Sequence, residues 1–208
     1  MNLPLSRRYS LCRRRRAPLR SLLLLYPNLF DMFRASGFSL LELMLGIAIT
    51  GILAGFAVPA FSTLVYDSRR TAALNTFVTA IQLARSEAIK RADEVVLCKT
   101  GGASRCTSTG EWGTGWLVFV NLDHDSPPRL DAGEPLINQH ARLQAARVTA
   151  NRDAFTFRPF SKASTNGTVT FCDTRGPKAA RAVIVSPSGR PRIASTNASG
   201  GSLVCPAR

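Results

Sequence analysis

Two groups of residues in this 208-residue chain have the types and spacing to do chemistry. The first is a carboxylate at the edge of an apolar run. From Leu43 to Tyr66, 24 residues carry no group ionised at neutral pH, and Glu42 stands just before them. About 20 apolar residues span the hydrocarbon core of a bilayer as a helix. A carboxylate at the centre of such a helix is unfavourable by roughly 2.5–3.5 kcal/mol, and by less near its end. Glu42 therefore either lies in the headgroup zone or meets a cation that neutralises it. The second group is Gly189-Arg190-Pro191-Arg192. Guanidiniums bind phosphate oxygens through paired N–H groups. Gly189 permits a turn and Pro191 stiffens it, and alternation about Pro191 in an extended segment would send both arginines to one side.

Other constellations fall away. His124 sits between Asp123 and Asp125 with serines nearby, but adjacent residues rarely converge into a triad, and nothing else builds an oxyanion hole. With two histidines and no CxxC spacing, no metal site is expected, and no glycine-rich phosphate loop occurs. No cofactor is expected. The acidic stretch 121–134 holds Asn121, Asp123, Asp125, Asp131 and Glu134. Counted from Asn121, its sixth position is Ser126 rather than glycine and its twelfth is Ala132 rather than glutamate, so it departs from an EF-hand. It reads as a solvated hairpin loop, with calcium binding left open. Trp112 and Trp116 could stack on bases, yet beside "LVFV" they read as core.

These groups need elements to position them. Beyond the apolar run, Leu74, Phe77, Val78, Ile81, Ala84 and Ala88 recur at helical spacing. One helix over about 39–92 is expected, its first half in lipid and its second packed on a sheet. Gly51 and Gly55, four apart, permit close helix approach. After Asp93 the texture changes. "VVLCK", "GWLVFV", "EPLIN", "AFTFRPF", "GTVTFC" and "RAVIVS" are β-branched or aromatic runs separated by Gly, Pro, Asn and Asp, and they predict an antiparallel sheet. The fold class is α+β.

"GFSLLE", Gly37 to Glu42, followed by the apolar run, closely resembles the signal sequence of type IV pilins and type II secretion pseudopilins. The resemblance implies that a prepilin peptidase cuts after Gly37 and that Phe38 becomes an N-methylated N-terminus. It also implies that Glu42, fifth in the mature chain, pairs with the N-terminal amine of a neighbouring subunit. Pro59 matches a helix-bending proline common in these proteins. Residues 1–37 hold eight Arg and one Asp and are expected to be absent from the mature protein. Starting at Met32 would give the short basic leader "MFRASG", so residues 1–31 read either as a leader extension or as sequence upstream of the true start. The Arg-rich side stays in the cytoplasm by the positive-inside rule. The expected organisation is a leader at 1–37, a transmembrane assembly helix at 38–65 and a periplasmic head at 66–208. The protein would sit in the inner membrane as a single-pass subunit before entering a pilus or pseudopilus with other pilins.

Within that class the head resembles the GspH/FimT family of minor pseudopilins. "EWGTGWLVFVNLD", with Trp112, Trp116 and Phe119, is followed by an acidic loop, "GEPLI", "FRPF" and "GTVTFCD". The Gly189–Arg192 stretch is similar to a Gly-Arg-x-Arg motif of the FimT branch, where a C-terminal loop is implicated in binding DNA during natural transformation. Charge agrees. Residues 38–140 carry 8 basic and 10 acidic groups, whereas residues 141–208 carry 11 basic and 2 acidic. Such asymmetry fits either a polyanionic partner or a solvated basic face. Lys178, Arg181 and Arg175 would widen the patch around Arg190 and Arg192.

Cysteine use fits an exported head. Cys12 leaves with the leader, while Cys98, Cys106, Cys172 and Cys205 remain. Three pairings are available. Proximity favours Cys98 with Cys106, which leaves Cys172 with Cys205. The chain thus reads as a substrate of an enzyme rather than an enzyme. The first functional reading is a minor type IV pilin that binds DNA and supports its uptake. The second is a structural minor pseudopilin that primes pilus or type II secretion pseudopilus assembly. A third, a signal-anchored periplasmic enzyme, lacks a catalytic set.

Overall fold

A computed structural model describes residues 37–102, 104–144, 147–159 and 163–206. Residues 1–36, which include Cys12 and Met32 and most of the expected leader, lie outside the described residues. The chain forms two compact units, Met1–Leu53 and Ala54–Arg208.

The described part of the first unit is the beginning of α1, which runs from Leu40 to Arg91. Ser39 opens it. Its hydroxyl accepts the Glu42 N–H at 3.2 Å, satisfying one of the helix's first free N–H groups, and its carbonyl accepts the Leu43 N–H at 3.2 Å as the first intrahelical bond. Leu40, Leu41, Met44, Leu45, Ile47 and Leu53 are all exposed. An apolar surface on every side of a helix suits lipid or neighbouring helices, not water. The one uncharged polar side chain of this stretch is internally satisfied, because the Thr50 hydroxyl donates to the Gly46 carbonyl at 2.8 Å. α1 is long and apolar enough to cross a membrane.

In the second unit α1 becomes amphipathic. Ala73, Leu74, Phe77, Ala80, Ile81, Ala84 and Ala88 are buried. The helix stops without a glycine. Ala92 takes φ 55°. The Ala92 N–H donates to the Ile89 carbonyl and the Asp93 N–H to the Ala88 carbonyl, which is the Schellman closure.

The strands are β1 (Val95–Lys99), β2 (Trp116–Val120), β3 (Leu136–His140), β4 (Arg147–Ala150), β5 (Ala154–Phe157), β6 (Gly167–Cys172), β7 (Arg181–Val185) and β8 (Pro191–Ala194). They form two antiparallel four-stranded sheets rather than one, ordered β3-β2-β1-β5 and β4-β6-β7-β8. The single expected sheet fails because the segment after β4 crosses at Asn151–Asp153 to pair β5 with β1, and the chain then returns to pair β6 with β4. β1 and β2 are buried on both faces. Val95, Leu97, Trp116 and Val118 face the main core with α1, and Val96, Cys98, Leu117 and Phe119 form a second cluster beneath Cys106 and Leu130. The acidic loop thus lends Leu130 to cover the outer face of the first sheet.

Phe77 holds the two sheets to the helix. Its ring meets Trp112 at 5.5 Å, Trp116 at 5.2 Å and Phe171 at 5.7 Å, all edge to face. Trp116 belongs to the first sheet and Phe171 to the second, so both tryptophans are core, as their apolar neighbours imply. Truncation here removes transfer energy and leaves a cavity. Phe77→Ala should cost about 3–5 kcal/mol, read as a lower urea midpoint for the full chain in nonionic detergent, with Phe77→Leu losing less.

Candidate functional site

The cysteines join as Cys98–Cys106 and Cys172–Cys205. The first closes the loop after β1. The second fastens the C-terminal segment to the outer face of the second sheet, where Leu203 and Cys205 pack with Ala180, Ala182 and Ile184. A covalent loop of 33 residues contributes roughly 3–4 kcal/mol in the chain-entropy account. Inside that loop lies the β7–β8 hairpin, which carries Arg190 and Arg192.

The hairpin tip is built by Ser186 and Gly189. Gly189 N–H donates to the Ser186 carbonyl at 2.8 Å, Ser186 N–H to the Arg190 carbonyl at 3.1 Å, and Arg190 N–H to the Ser186 hydroxyl at 3.2 Å. Gly189 has φ +72°, and a Cβ there would come within 3.1 Å of Phe157 Cδ1, 3.3 Å of Arg85 Cδ and 3.3 Å of Ser164 Oγ. The backbone conformation therefore favours glycine, and the close side chains leave little room for a larger residue. The Gly-Arg-Pro-Arg stretch is not a free projecting turn. Gly189 ends the turn, and Pro191 opens edge strand β8, where its missing N–H costs no ladder bond that the sheet needs.

The two arginines do not share a face. Arg192 is in register with Ile184, on the side of the second sheet away from α1. Arg190 precedes the strand and lines a cleft with Gln82, Arg85, Ser86, Ile89 and Pro191, beside α1. Both are exposed, and neither side chain has an ion-pair or hydrogen-bond partner among the described residues. Lys178 is exposed in a single 3₁₀ turn, Pro177–Ala179, at the far end of β7 from the hairpin tip. Arg181 is half-buried at the start of β7 and donates to its neighbour's carbonyl, Ala180 O, at 2.8 Å. The basic groups are spread along the β7–β8 hairpin rather than gathered at its tip.

Arg175 is withdrawn from any such patch. Its guanidinium bonds Asp173 at 2.6 Å and Asp67 at 2.8 Å and lies 5.5 Å from the centre of the Tyr66 ring. Arg70 joins from α1, bonding Asp67 at 2.8 Å, standing 3.7 Å from Asp173, and donating to the Ala179 carbonyl. This four-residue network clamps α1 to the end of the second sheet. Its local sequence signals are the Asp173-Thr174-Arg175 alternation and the i,i+3 spacing of Asp67 and Arg70. Arg147 with Glu111 and Arg158 with Glu94 are likewise paired.

The acidic loop turns its carboxylates onto its own backbone. Asp123 accepts the Asp125 N–H at 3.1 Å, Asp125 accepts the Arg129 N–H at 3.1 Å, and Glu134 accepts the Leu122 and Asp131 N–H groups at 2.8 and 3.0 Å. His124 Nε2 lies 3.1 Å from Asp93. Among the described residues no group of three His, Cys, Asp or Glu side chains converges as a metal site. At the other end of the chain, Glu42 is exposed in the first turn of α1, and its carboxylate has no partner among the described residues. The Ser39-x-x-Glu42 spacing, a capping signature, marks the helix start.

The Arg175 hydrogen bond holds the Asp173 carboxyl below the usual aspartate range, helped by the Arg175 N–H and opposed by burial. A depressed carboxylate contributes stability that is fully present above the ordinary value of about 3.9 and is lost as pH falls through the lower folded value. Wild-type stability should therefore decline below about pH 4. Asp173→Asn should be less stable at neutral pH and show a shallower decline there, measured by urea unfolding across pH 2.5–7.

Residues 73–189 match the family model described as type II transport protein GspH, and residues 32–58 match the prokaryotic N-terminal methylation motif. Two crystal forms of the type IV minor pilin FimU from Pseudomonas aeruginosa are similar in structure. One gives 16% identity over 63% of this chain and 92% of that one, with a TM-score of 0.47. The other gives 17% identity over 60% and 91%, with a TM-score of 0.45. No curated protein matches the chain significantly.

Proposed function

This chain belongs to the GspH family of type II transport proteins, and from that membership we propose that it is a minor type IV pilin whose head binds DNA and supports pilus-mediated DNA uptake in natural transformation. The coarser role, a pilin-like subunit with an apolar N-terminal helix and a β-rich head, follows from the family and the methylation motif together. In this reading a prepilin peptidase cuts after Gly37 and Phe38 is methylated. The subunit waits in the inner membrane with its head in the periplasm and then joins other pilins. The domain limits proposed are 1–37, 38–65 and 66–208.

Glu42 is the assembly residue in this reading. An exposed carboxylate beside an apolar helical surface is costly in lipid until a cation meets it, and the amine of a neighbouring subunit's Phe38 supplies one. Glu42→Ala should still be processed after Gly37 but be missing from sheared filaments. Gly37→Leu should accumulate as uncut precursor. Normal recovery of the Glu42 variant in filaments would remove the pairing.

The observation that carries the DNA reading is the β7–β8 hairpin, an edge hairpin whose Arg190 and Arg192 side chains have no partner among the described residues, in a stretch (141–208) where basic groups outnumber acidic ones 11 to 2. Cations without counterions on an exposed edge can replace the condensed ions of a polyanion. Phosphate contacts carry no sequence information, so binding should be largely indifferent to sequence. The full chain in nonionic detergent should bind mixed-sequence duplex with an affinity that falls steeply with salt. Arg190→Gln with Arg192→Gln should flatten the log–log salt slope by up to about two. An unchanged slope in the folded double variant would return the protein to the second reading, a structural subunit that primes assembly without DNA.

A further inference from the structure

We infer that Arg85 of α1, together with Arg190 of the hairpin tip, forms a clamp for a DNA phosphodiester. The inference rests on the DNA-binding reading and deepens it, because it adds a helix residue to the contact and places Arg190, rather than Arg192, in a cleft between helix and hairpin.

The cleft holds about 460 Å³ and is lined by Gln82, Arg85, Ser86, Ile89, Arg190 and Pro191. Its helix residues are spaced i, i+3, i+4 and i+7, one continuous face of α1 beside the buried stripe of Ile81, Ala84 and Ala88. Arg85 is far from Arg190 in sequence but meets the same turn, since its Cδ lies 3.3 Å from where a Cβ of Gly189 would stand. The glycine admits the stem of Arg85, and its φ of +72° turns the backbone into Arg190. Arg192, in register with Ile184, looks away from this cleft.

Two arginines line one cleft, and no carboxylate answers either of them among the described residues. The nearest acid along the helix, Glu87, is taken by Arg91 at 2.7 Å and Lys90 at 3.4 Å. Like charges held together favour an anion between them, and a phosphate with two free oxygens suits two planar donors. Gln82 adds an amide donor with no partner among the described residues. Ser86 directs its hydrogen to the Leu83 carbonyl at 2.9 Å, which leaves its oxygen as an acceptor only. Ile89, 49% exposed, and Pro191 supply an apolar wall for the carbon face of a sugar. A lipid phosphate is the weaker occupant. Arg85 lies about 30 Å of helix axis beyond Tyr66, where the uncharged run ends.

The test measures binding of a short fluorescein-labelled mixed-sequence duplex to the full chain in nonionic detergent micelles across a KCl series. Arg85→Gln and Arg190→Gln should each flatten the log–log slope by about one and weaken binding equally across sequences, with less-than-additive losses in the double variant. Arg69→Gln removes an exposed charge from the same helix outside the cleft and should change the slope less. Arg85→Lys keeps the charge and should retain most of the slope, which separates lost contact from lost fold. If wild type binds and Arg190→Gln weakens it while Arg85→Gln behaves like Arg69→Gln, the clamp is overturned and the hairpin reading stands. If wild type does not bind, both fall. If Arg85→Gln abolishes binding of phosphatidylglycerol added to the micelles but leaves DNA binding unchanged, the cleft belongs to lipid and the clamp is overturned.

Discussion

The head depends on one aromatic side chain reaching from a helix into the space between two sheets. The apolar inner face of a four-stranded sheet needs something to cover it, and here the inner faces of two sheets share a single helix. Phe77 presents its edges and face to Trp112, Trp116 and Phe171, so the ring quadrupoles favour the crossing angles that also fill the space. The small residues around it on α1, Ala73, Ala80, Ala84 and Ala88, let the helix backbone sit close enough for one large side chain to reach both sheets. Everything placed on the hairpin inherits its position from this packing, because β7 contributes Val183 and Val185 to the same core.

The helical half of that arrangement was legible in the sequence. A stripe at 3.6-residue spacing after an uncharged run admits few alternatives, and Phe77 and Ile81 lie in it. The division into two sheets was not legible. β1 reads "VVLCK", buried on both faces, so no alternation reveals which neighbours it pairs with. β4, "RVTA", is too short and too polar to stand out, and β8 begins at Pro191, a residue that argues against a central strand but is tolerated on an edge. The site was half legible. Composition marked the basic C-terminal third, yet which cations are free depends on partners distant in sequence. Arg175 looks available until Asp67 is brought to it, and Arg85 looks like an ordinary surface residue of the helix until Gly189 is brought to it.

Buried polarity likewise depends on partners distant in sequence. Glu94 bonds Arg158 at 2.8 Å and Asn121 at 3.1 Å where β1 and β2 meet the acidic loop. The Asn121 N–H also reaches the Glu94 carbonyl at 2.9 Å, so the ends of β1 and β2 are tied by main chain and side chain together. An ion pair in such a place is weak support for stability but strong support for a single register, since a slipped strand would leave Glu94 without its cation.

The clamp of Asp67, Arg70, Asp173 and Arg175 has a mechanical meaning. It sits on α1 between the apolar run and the first core residue, Ala73. A pull transmitted along the helix from its apolar end reaches these ion pairs before it reaches Phe77. Guanidinium–carboxylate bonds can slide between oxygens without fully parting, whereas interlocked aromatic rings cannot shift without opening a void. Tension would thus meet a compliant joint first and a brittle one second. Because the buried contacts from Ala73 to Ala88 lie along one rigid helix, they would be strained together in shear rather than peeled one at a time.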